Sequence, residues 1–387
     1  MELWFDPRSG GLTVGLSAMA DLPKIFEDLL ALAVENAASD IHLKAGRPAL
    51  MRVSGQLVEA EMAPLTADQL NAFIDASLPA RFRERWVRDS QVDYSFDRMA
   101  QGKGRFRVNA FLQRNQPAAV LRLVKVKPPQ FDELNLDAKT MLKALELMEG
   151  LVLVCGPTGS GKSSTLAAML RHVNETSALH VITLEDPVEY VYADERSSFS
   201  QREVGIDVES FPMGLRAALR QDPDVILVGE MRDKETFETA LHAAETGHLV
   251  LSTLHAGTAQ QAVQRLFEFF PAEQLSLARR SIAASLKAVL VQTLVPRLDG
   301  QGVLPAMEVF IVDPLAKRLL ADGQFERVPE LVEGGADVGS RPINQDLVRL
   351  VRAGKVSKAA GLAASPNPKA FEMNLSGISI QSGRIIQ

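Results

Sequence analysis

The chain of 387 residues has one cysteine, Cys155. Disulfides within the chain are therefore impossible, and no cysteine-based zinc centre can be assembled. Cys155 sits inside an apolar run, where a cysteine ordinarily packs as a small hydrophobe. This usage fits a reducing cytoplasm. Long hydrophobic runs are missing too: nothing approaches the ~20 apolar residues of a membrane-spanning helix. Positive charge is not in excess, with 42 Lys and Arg against 48 Asp and Glu, a net charge of −6. No broad basic surface is implied, which argues against nucleic acid as the main partner. Ser9 to Ala20 is uncharged, as the core of a signal peptide would be. Yet Glu2 and Asp6 precede it along with Arg8, and the stretch is glycine-rich. We read residues 1–20 as a flexible leader, with Met19 as an alternative start. What remains is 46% hydrophobic and 23% charged, the composition of a globular protein. The length suffices for two or three domains.

Against these absences stands one dense signal, Leu151 to Thr165, reading LVLVCGPTGSGKSST. Gly156, Pro157, Thr158, Gly159, Ser160, Gly161, Lys162 and Ser163 form a complete P-loop, G-x-x-x-x-G-K-[ST]. The glycines let backbone N–H groups approach phosphate oxygens. Lys162 is expected to reach the β- and γ-phosphates of ATP, and the Ser163 hydroxyl to hold Mg²⁺. The following helix adds its positive end to the anion site. A chance match of this kind occurs in on the order of 1% of chains this long. Context lowers that further. Leu151 to Cys155 reads as a buried strand, and Leu166, Met169, Leu170 and Val173 recur at helical spacing.

Upstream, Leu22 to Val34 has the apolar spacing of an amphipathic helix, and Ser39 to Leu43 alternates as a strand. Met51–Val53 and Gln56–Val58 flank a hairpin turn at Ser54-Gly55. Thr66 to Leu78 reads as helix; Tyr94–Phe96, Arg105–Leu112 and Ala119–Val124 read as strands. This α+β region occupies residues 21–124. Pro128-Pro129 interrupts helix and strand alike, so 125–135 is assigned as a linker. Leu136 to Met148 is expected to be helical. From there strands alternate with helices: His180–Leu184, Val225–Val228 and Leu249–Leu254 are short apolar runs ending beside polar residues. The order predicts an α/β fold with a parallel sheet and ligands at the strand C-termini. Ala272 to Val295 reads as one long helical pattern. The signal weakens beyond Pro329, and Ala364 to Gln387 has proline, serine and glycine without periodicity. We assign 136–355 to the second domain with its C-terminal helices and 356–387 to a flexible tail.

Three polar segments end the later strands. In the first, Thr183 to Tyr190, Glu189 or Glu185 could orient an attacking water, although Glu185 and Asp186 could equally cap the next element. In the second, an apolar strand ends in Glu230, a Walker B-like arrangement that could hold Mg²⁺ directly or through water. In the third, Thr253 and His255 follow a strand, and His255 could sense or polarise the γ-phosphate. Arg105 and Arg107 flank Phe106 on a strand and share one face. A solvated face is the ordinary reading of such a pair. Phosphoryl-transfer sites, however, often borrow an arginine worth ~10³–10⁵ in rate. No free arginine stands beside the P-loop in sequence, so we expect one to reach in from a neighbouring subunit.

Taken together, GPTGSGKSST, TLEDPVEY, LRAALRQDPDVILVGEMRD and AETGHLVLSTLHAGTA are similar to the Walker A, Asp-box, Walker B and His-box motifs of the secretion ATPases of type IV pili and type II secretion. All four occur in family order and spacing. SDIHLKAG, GRFRVNAF and QREVGIDVESF also match, and the resemblance covers roughly Pro23 to Gly354. Within the family the chain resembles the retraction branch of PilT and PilU proteins. Where PilT proteins carry an AIRNL-type motif, this chain has Asp313 to Gly323, DPLAKRLLADG, which is more similar to the PilU type. Phe111 to Asn115 and Phe269 to Ala272 lean the same way.

The resemblance implies a PAS-like first domain and a RecA-like P-loop ATPase second domain. It implies a cytoplasmic homo-hexamer that turns over ATP with Mg²⁺. The hexamer would act on the inner-membrane platform protein at the pilus base, peripheral to the membrane, to drive retraction and twitching motility. It further implies an accessory motor working with a PilT paralogue. By motif, Lys162, Ser163 and Ser164 bind phosphates and Mg²⁺. Glu189 is the Asp-box glutamate and first choice for water activation, and Glu230 is the Walker B glutamate. His248 and His255 are the first and second His-box histidines, and Arg105 and Arg107 face the neighbour's nucleotide. A polymerising pilus-assembly or type II secretion ATPase is the alternative motor. A nucleotide-binding regulator with little turnover is the alternative from outside the motors.

Overall fold

Four phenylalanines organise the first third of the chain: Phe26, Phe73, Phe96 and Phe106 are all essentially inaccessible to water. Phe26 and Phe73 come from helices Lys24–Glu35 and Ala67–Ser77, and their rings lie 4.9 Å apart. Thr66 and Gln69 cap the second helix reciprocally, a capping box that explains its sharp start. Phe96 and Phe106 project from a six-stranded antiparallel sheet. In spatial order its strands are Gln56–Glu59, Leu50–Val53, Asp40–Lys44, Gln116–Val124, Arg105–Gln113 and Gln91–Asp97. The helix Arg83–Asp89 has no counterpart in the apolar pattern because it buries no residue.

The computed structural model describes residues 3–5, 12–14, 22–124, 127–146 and 149–377. The chain forms two compact units, Met1–Val126 and Lys127–Gln387. Most of the leader read as flexible lies outside the described residues. Its two described stretches, Leu3–Phe5 and Leu12–Val14, pair as an antiparallel ribbon. Among the described residues no helix is long and apolar enough to cross a membrane.

The second unit is built on a seven-stranded sheet. Its order is Ser198–Glu203, His180–Glu185, Val225–Val228, Leu249–Leu254, Gly150–Cys155, Leu286–Pro296 and Val303–Ile311. All neighbours are parallel except the last pair, which is antiparallel. The apolar runs lack a polar alternation because helices cover both faces. Leu151, Leu153, Ile226, Val228 and Val250 pack with Phe237, Leu266 and Ile282 of the helices on one side. Val152, Val154, Val225, Leu227 and Leu251 pack with Met141, Leu166 and Val173 on the other. An α/β doubly covered sheet with a smaller α+β unit before it is thus the observed architecture.

Two expectations are corrected. The stretch Ala272–Val295 is not one helix: the helix ends at Ser285, and Leu286–Pro296 is an eleven-residue strand beside the P-loop strand. Its apolar residues face cores on both sides, so they lack the strict alternation that marks a strand in sequence. Nor are residues 356–377 a flexible tail. Lys358–Ala364 and Pro368–Leu375 are helices, N-capped by Ser357 and Asn367. Phe371 is fully buried with Val295, Leu304, Leu347 and Leu350. Both helices are too short to show periodicity, and a single aromatic anchors them. Residues 378–387 lie outside the described residues. Replacing Phe371→Ala should lower the stability of this unit by about 3–5 kcal/mol, the usual cost of emptying a buried aromatic site. Urea unfolding of the full chain checks it, and an unchanged midpoint would detach these helices from the core.

Candidate active site

The strand Gly150–Cys155 ends at a loop that must turn back over the sheet edge and start a helix. Gly156, Gly159 and Gly161 adopt φ of +145°, +78° and +87°, which side chains with a Cβ rarely tolerate. At Gly161 a Cβ would lie 2.8 Å from the Gln292 amide nitrogen, and at Gly156 it would run into the Gln292 carbonyl. The helix Lys162–Thr176 begins without a side-chain cap, so its first N–H groups remain available to an anion. The Lys162 ammonium donates to the carbonyls of Gly156 and Pro157, 3.0 Å each. Partial burial lowers its pKa, while the Glu230 and Glu189 carboxylates act in the opposite direction.

A cleft of about 360 Å³ opens above this loop, lined by Thr158, Lys162, Ser163, Glu185, Glu189, Glu230, Arg232 and His255 among others. The P-loop and the three strand ends that the sequence marks as chemical do converge. His255 Nε2 lies 3.3 Å from Glu230 Oε1, and Arg232 approaches Glu230 Oε2 at 2.8 Å. Thr253 fixes the adjoining turn by donating to the Gly229 carbonyl at 2.7 Å. Ser163 is exposed at the helix start, whereas the Ser164 hydroxyl is 2.9 Å from that of Tyr190. Ser164 can therefore reach a phosphate through its backbone N–H while its hydroxyl braces the Asp-box loop.

Glu185 occupies a different environment from Glu189. Its carboxylate is buried, accepting from Thr183 Oγ1 at 2.7 Å, Gln201 Nε2 at 3.3 Å and Glu189 N at 3.4 Å. Burial pushes its pKa up to about 7 despite these donors. Gln201 also donates to the Tyr190 carbonyl and accepts from Tyr192 N, so it ties strand Ser198–Glu203 to the loop bearing Glu189.

One expected residue is placed otherwise. His248 does not join the cleft. It precedes strand Leu249–Leu254, and its carbonyl accepts from Gly150 N at the start of the P-loop strand. Strands here are parallel, so His248 sits at the opposite sheet edge, about 17 Å from Thr253 by strand rise. Its Nδ1 is 2.9 Å from the Ala243 carbonyl, closing the turn after helix Lys234–Glu245. Arg105 and Arg107 belong to the other unit, half-buried on a strand where Phe106 and Val108 are buried. The cleft's own arginine is Arg232, which no sequence reading singled out although it lies in the Walker B-like segment. Gln292 and Gln201 were also missed. A lone glutamine inside LKAVLVQTLVP was the available signal, since a buried amide demands partners.

Ser163 and Glu230 offer a hydroxyl and a carboxylate oxygen to one cleft, the hard donors that suit Mg²⁺ shared with substrate phosphates. The described residues hold no cluster of three or more His, Cys, Asp or Glu that would bind a metal by themselves. Glu185 supplies a pH test. Its folded pKa lies above the ordinary 4.5, so stability present below pH 4.5 is lost as pH rises toward about 7. Wild-type protein should lose up to roughly 3 kcal/mol relative to Glu185→Gln across that window and stay level above it. Unfolding midpoints of both proteins against pH check this, and a constant difference would mean that Glu185 ionises normally.

Comparison with known proteins extends the geometry. The model of the type II/IV secretion system protein family matches residues 17–315. The chain is 38% identical over 344 residues to the type IV pilus retractation ATPase PilT of Pseudomonas aeruginosa, covering 89% of this chain and 99% of that one. It is 38% identical over 339 residues to the type IV pilus ATPase PilU of the same organism, covering 87% and 88%. A crystal structure of the pilus retraction motor PilT with bound ADP matches with a TM-score of 0.81 at 40% identity, over 89% of this chain and 98% of that one. The ATPase DotB of Legionella pneumophila matches with a TM-score of 0.74 at 27% identity, over 93% and 99%. With the P-loop, the three strand ends and these full-length relatives in agreement, the chain belongs to the type II/IV secretion system ATPase family.

Proposed function

We propose that this chain is an ATP-hydrolysing motor that drives type IV pilus retraction, and with it twitching motility. It would act as a cytoplasmic homo-hexamer at the inner-membrane pilus base, with the platform protein as its mechanical partner. One observation carries the reading: Lys162, Ser163, Glu189, Glu230 and His255 line a single cleft at the C-terminal edge of the sheet. Both the PilT and the PilU relative bear pilus ATPase names, and the first of them is named for retraction. The accessory, PilU-type role alongside a PilT paralogue rests on Asp313–Gly323, a stretch that forms an Asp313-capped helix.

In this mechanism the P-loop N–H groups and Lys162 hold the β- and γ-phosphates. Ser163 and Glu230 would hold Mg²⁺, which would supply charge neutralisation for the leaving diphosphate. Glu189 accepts a proton from the attacking water. His255, already beside Glu230, reports the γ-phosphate to the strand that carries it. Arg105 or Arg107 of a neighbouring subunit completes the site, so that turnover requires the ring.

Lys162→Ala should abolish nucleotide binding and fail to restore motility to a deletion strain. That strain should keep or accumulate surface pili while losing twitching; loss of surface pili would instead indicate an assembly motor. Glu189→Gln should bind ATP normally and lower phosphate release by about 10²-fold or more, the usual contribution of a general base. Steady-state turnover with and without a PilT paralogue reads both. Normal turnover in Glu189→Gln with loss in Glu230→Gln would reverse the two carboxylate roles. Arg105→Ala should slow turnover in the assembled ring, and an unchanged rate there removes that arginine from the site.

A further inference from the structure

The strands Leu286–Pro296 and Val303–Ile311 form an antiparallel hairpin at the edge of the ATPase sheet. Gln292 is the buried polar residue of the first of them. Its side-chain amide makes two hydrogen bonds, one to the nucleotide loop and one to the first turn of the helix that follows it. Nε2 donates to the Ser160 carbonyl at 2.5 Å, and Oε1 accepts from Thr165 Oγ1 at 2.7 Å. These contacts bracket Gly161 to Ser164, the residues that must present N–H groups to phosphate. The steric limits at Gly156 and Gly161 come from the same Gln292.

The second strand carries the mirror arrangement. Gln292 pairs with Met307 and Val291 with Glu308, so Gln292 and Glu308 project to opposite faces of the sheet. Met307 packs in the core that holds helix Lys162–Thr176, and Val291 in the core that holds helix Ala259–Glu268. Glu308 Oε1 accepts from Ala259 N at 2.6 Å, at the start of the latter helix and four residues beyond His255. A carboxylate there also meets the positive end of the helix. Arg265, on the same helix, donates to the His255 carbonyl and closes the loop.

We propose that this hairpin is a two-sided brace of the ATPase site, with Gln292 the positioning residue for the P-loop and Glu308 the positioning residue for the loop that carries His255. The separation of Lys162 from His255 across the cleft is then set by one rigid element. Both residues act through others: neither touches the substrate. Gln292 is needed as donor and acceptor at once, which neither methionine nor an ionised glutamate provides. Glu308 is needed only as an acceptor.

The test uses the full chain, a fluorescent ADP analogue, steady-state turnover, thermal midpoints and hydrogen exchange. Gln292→Met and Gln292→Glu should each weaken ADP-analogue binding by about tenfold or more, the loss expected when a buried hydrogen-bond partner disappears. Amides of residues 156–164 should exchange faster than any fall in the thermal midpoint accounts for. Glu308→Leu should leave analogue binding intact, lower kcat and speed exchange in residues 255–261, and Glu308→Gln should restore both. Glu308→Ala substitutes if the leucine variant does not fold. Unchanged exchange in both segments, or affinity loss that merely follows a falling midpoint, would overturn the brace. The kcat arm rests on the role given to His255 above. If His255→Ala turns over normally, that role fails by itself, and the exchange of residues 255–261 in the Glu308 variants then decides the brace.

Discussion

Strands Gly150–Cys155, Val225–Val228 and Leu249–Leu254 have no face toward water, since every one of their residues is buried. A polar side chain on such a strand can be accommodated only with a partner, or at the end where the strand leaves the sheet. The parallel arrangement sends those exits to one edge. That burial therefore gathers Glu230 and His255 beside the P-loop although the chain separates them widely, and the parallel neighbour His180–Glu185 delivers Glu189 to the same edge. The same constraint explains His248: one strand length earlier, it leaves at the wrong edge and serves a turn.

Within the cleft, like charges are kept workable by unequal surroundings. Glu185 is buried with three donors and holds its proton up to about pH 7. Glu189 and Glu230 stand nearer the solvent, and Glu230 is flanked by Arg232 and His255. One carboxyl thus organises the loop while its neighbour can act as a base. The division resembles other sites in which environment separates the duties of adjacent acids. The supports for these loops, Gln201 for the Glu189 loop and Gln292 for the P-loop, are buried or half-buried amides on strands. An amide gives and accepts without adding charge to a site that must receive a polyanion.

Much of this was legible before any fold was known. The P-loop, the Walker B-like strand and the alternation of Arg105 with Arg107 are local patterns, governed by spacing along a strand or a tight turn. The supports were not legible, because a hydrogen bond from Gln292 to Ser160 spans 132 residues and leaves no local trace. Leu286–Pro296 reads as helix in the sequence for a related reason: a strand buried on both faces has no polar side to reveal its period. The closing helices Lys358–Ala364 and Pro368–Leu375 were too short to show one.

The sequence by itself determined the family, the chemistry of the loop and the identity of the strand-end carboxylates, since these depend on residue type at short spacing. Tertiary structure alone decided which of the two His-box histidines enters the cleft, that Arg232 shares it with Glu230, and that an edge hairpin grips both sides of the site. Those outcomes depend on strand direction and on which elements share a core. Both are set by burial over the whole unit rather than by any short run of residues.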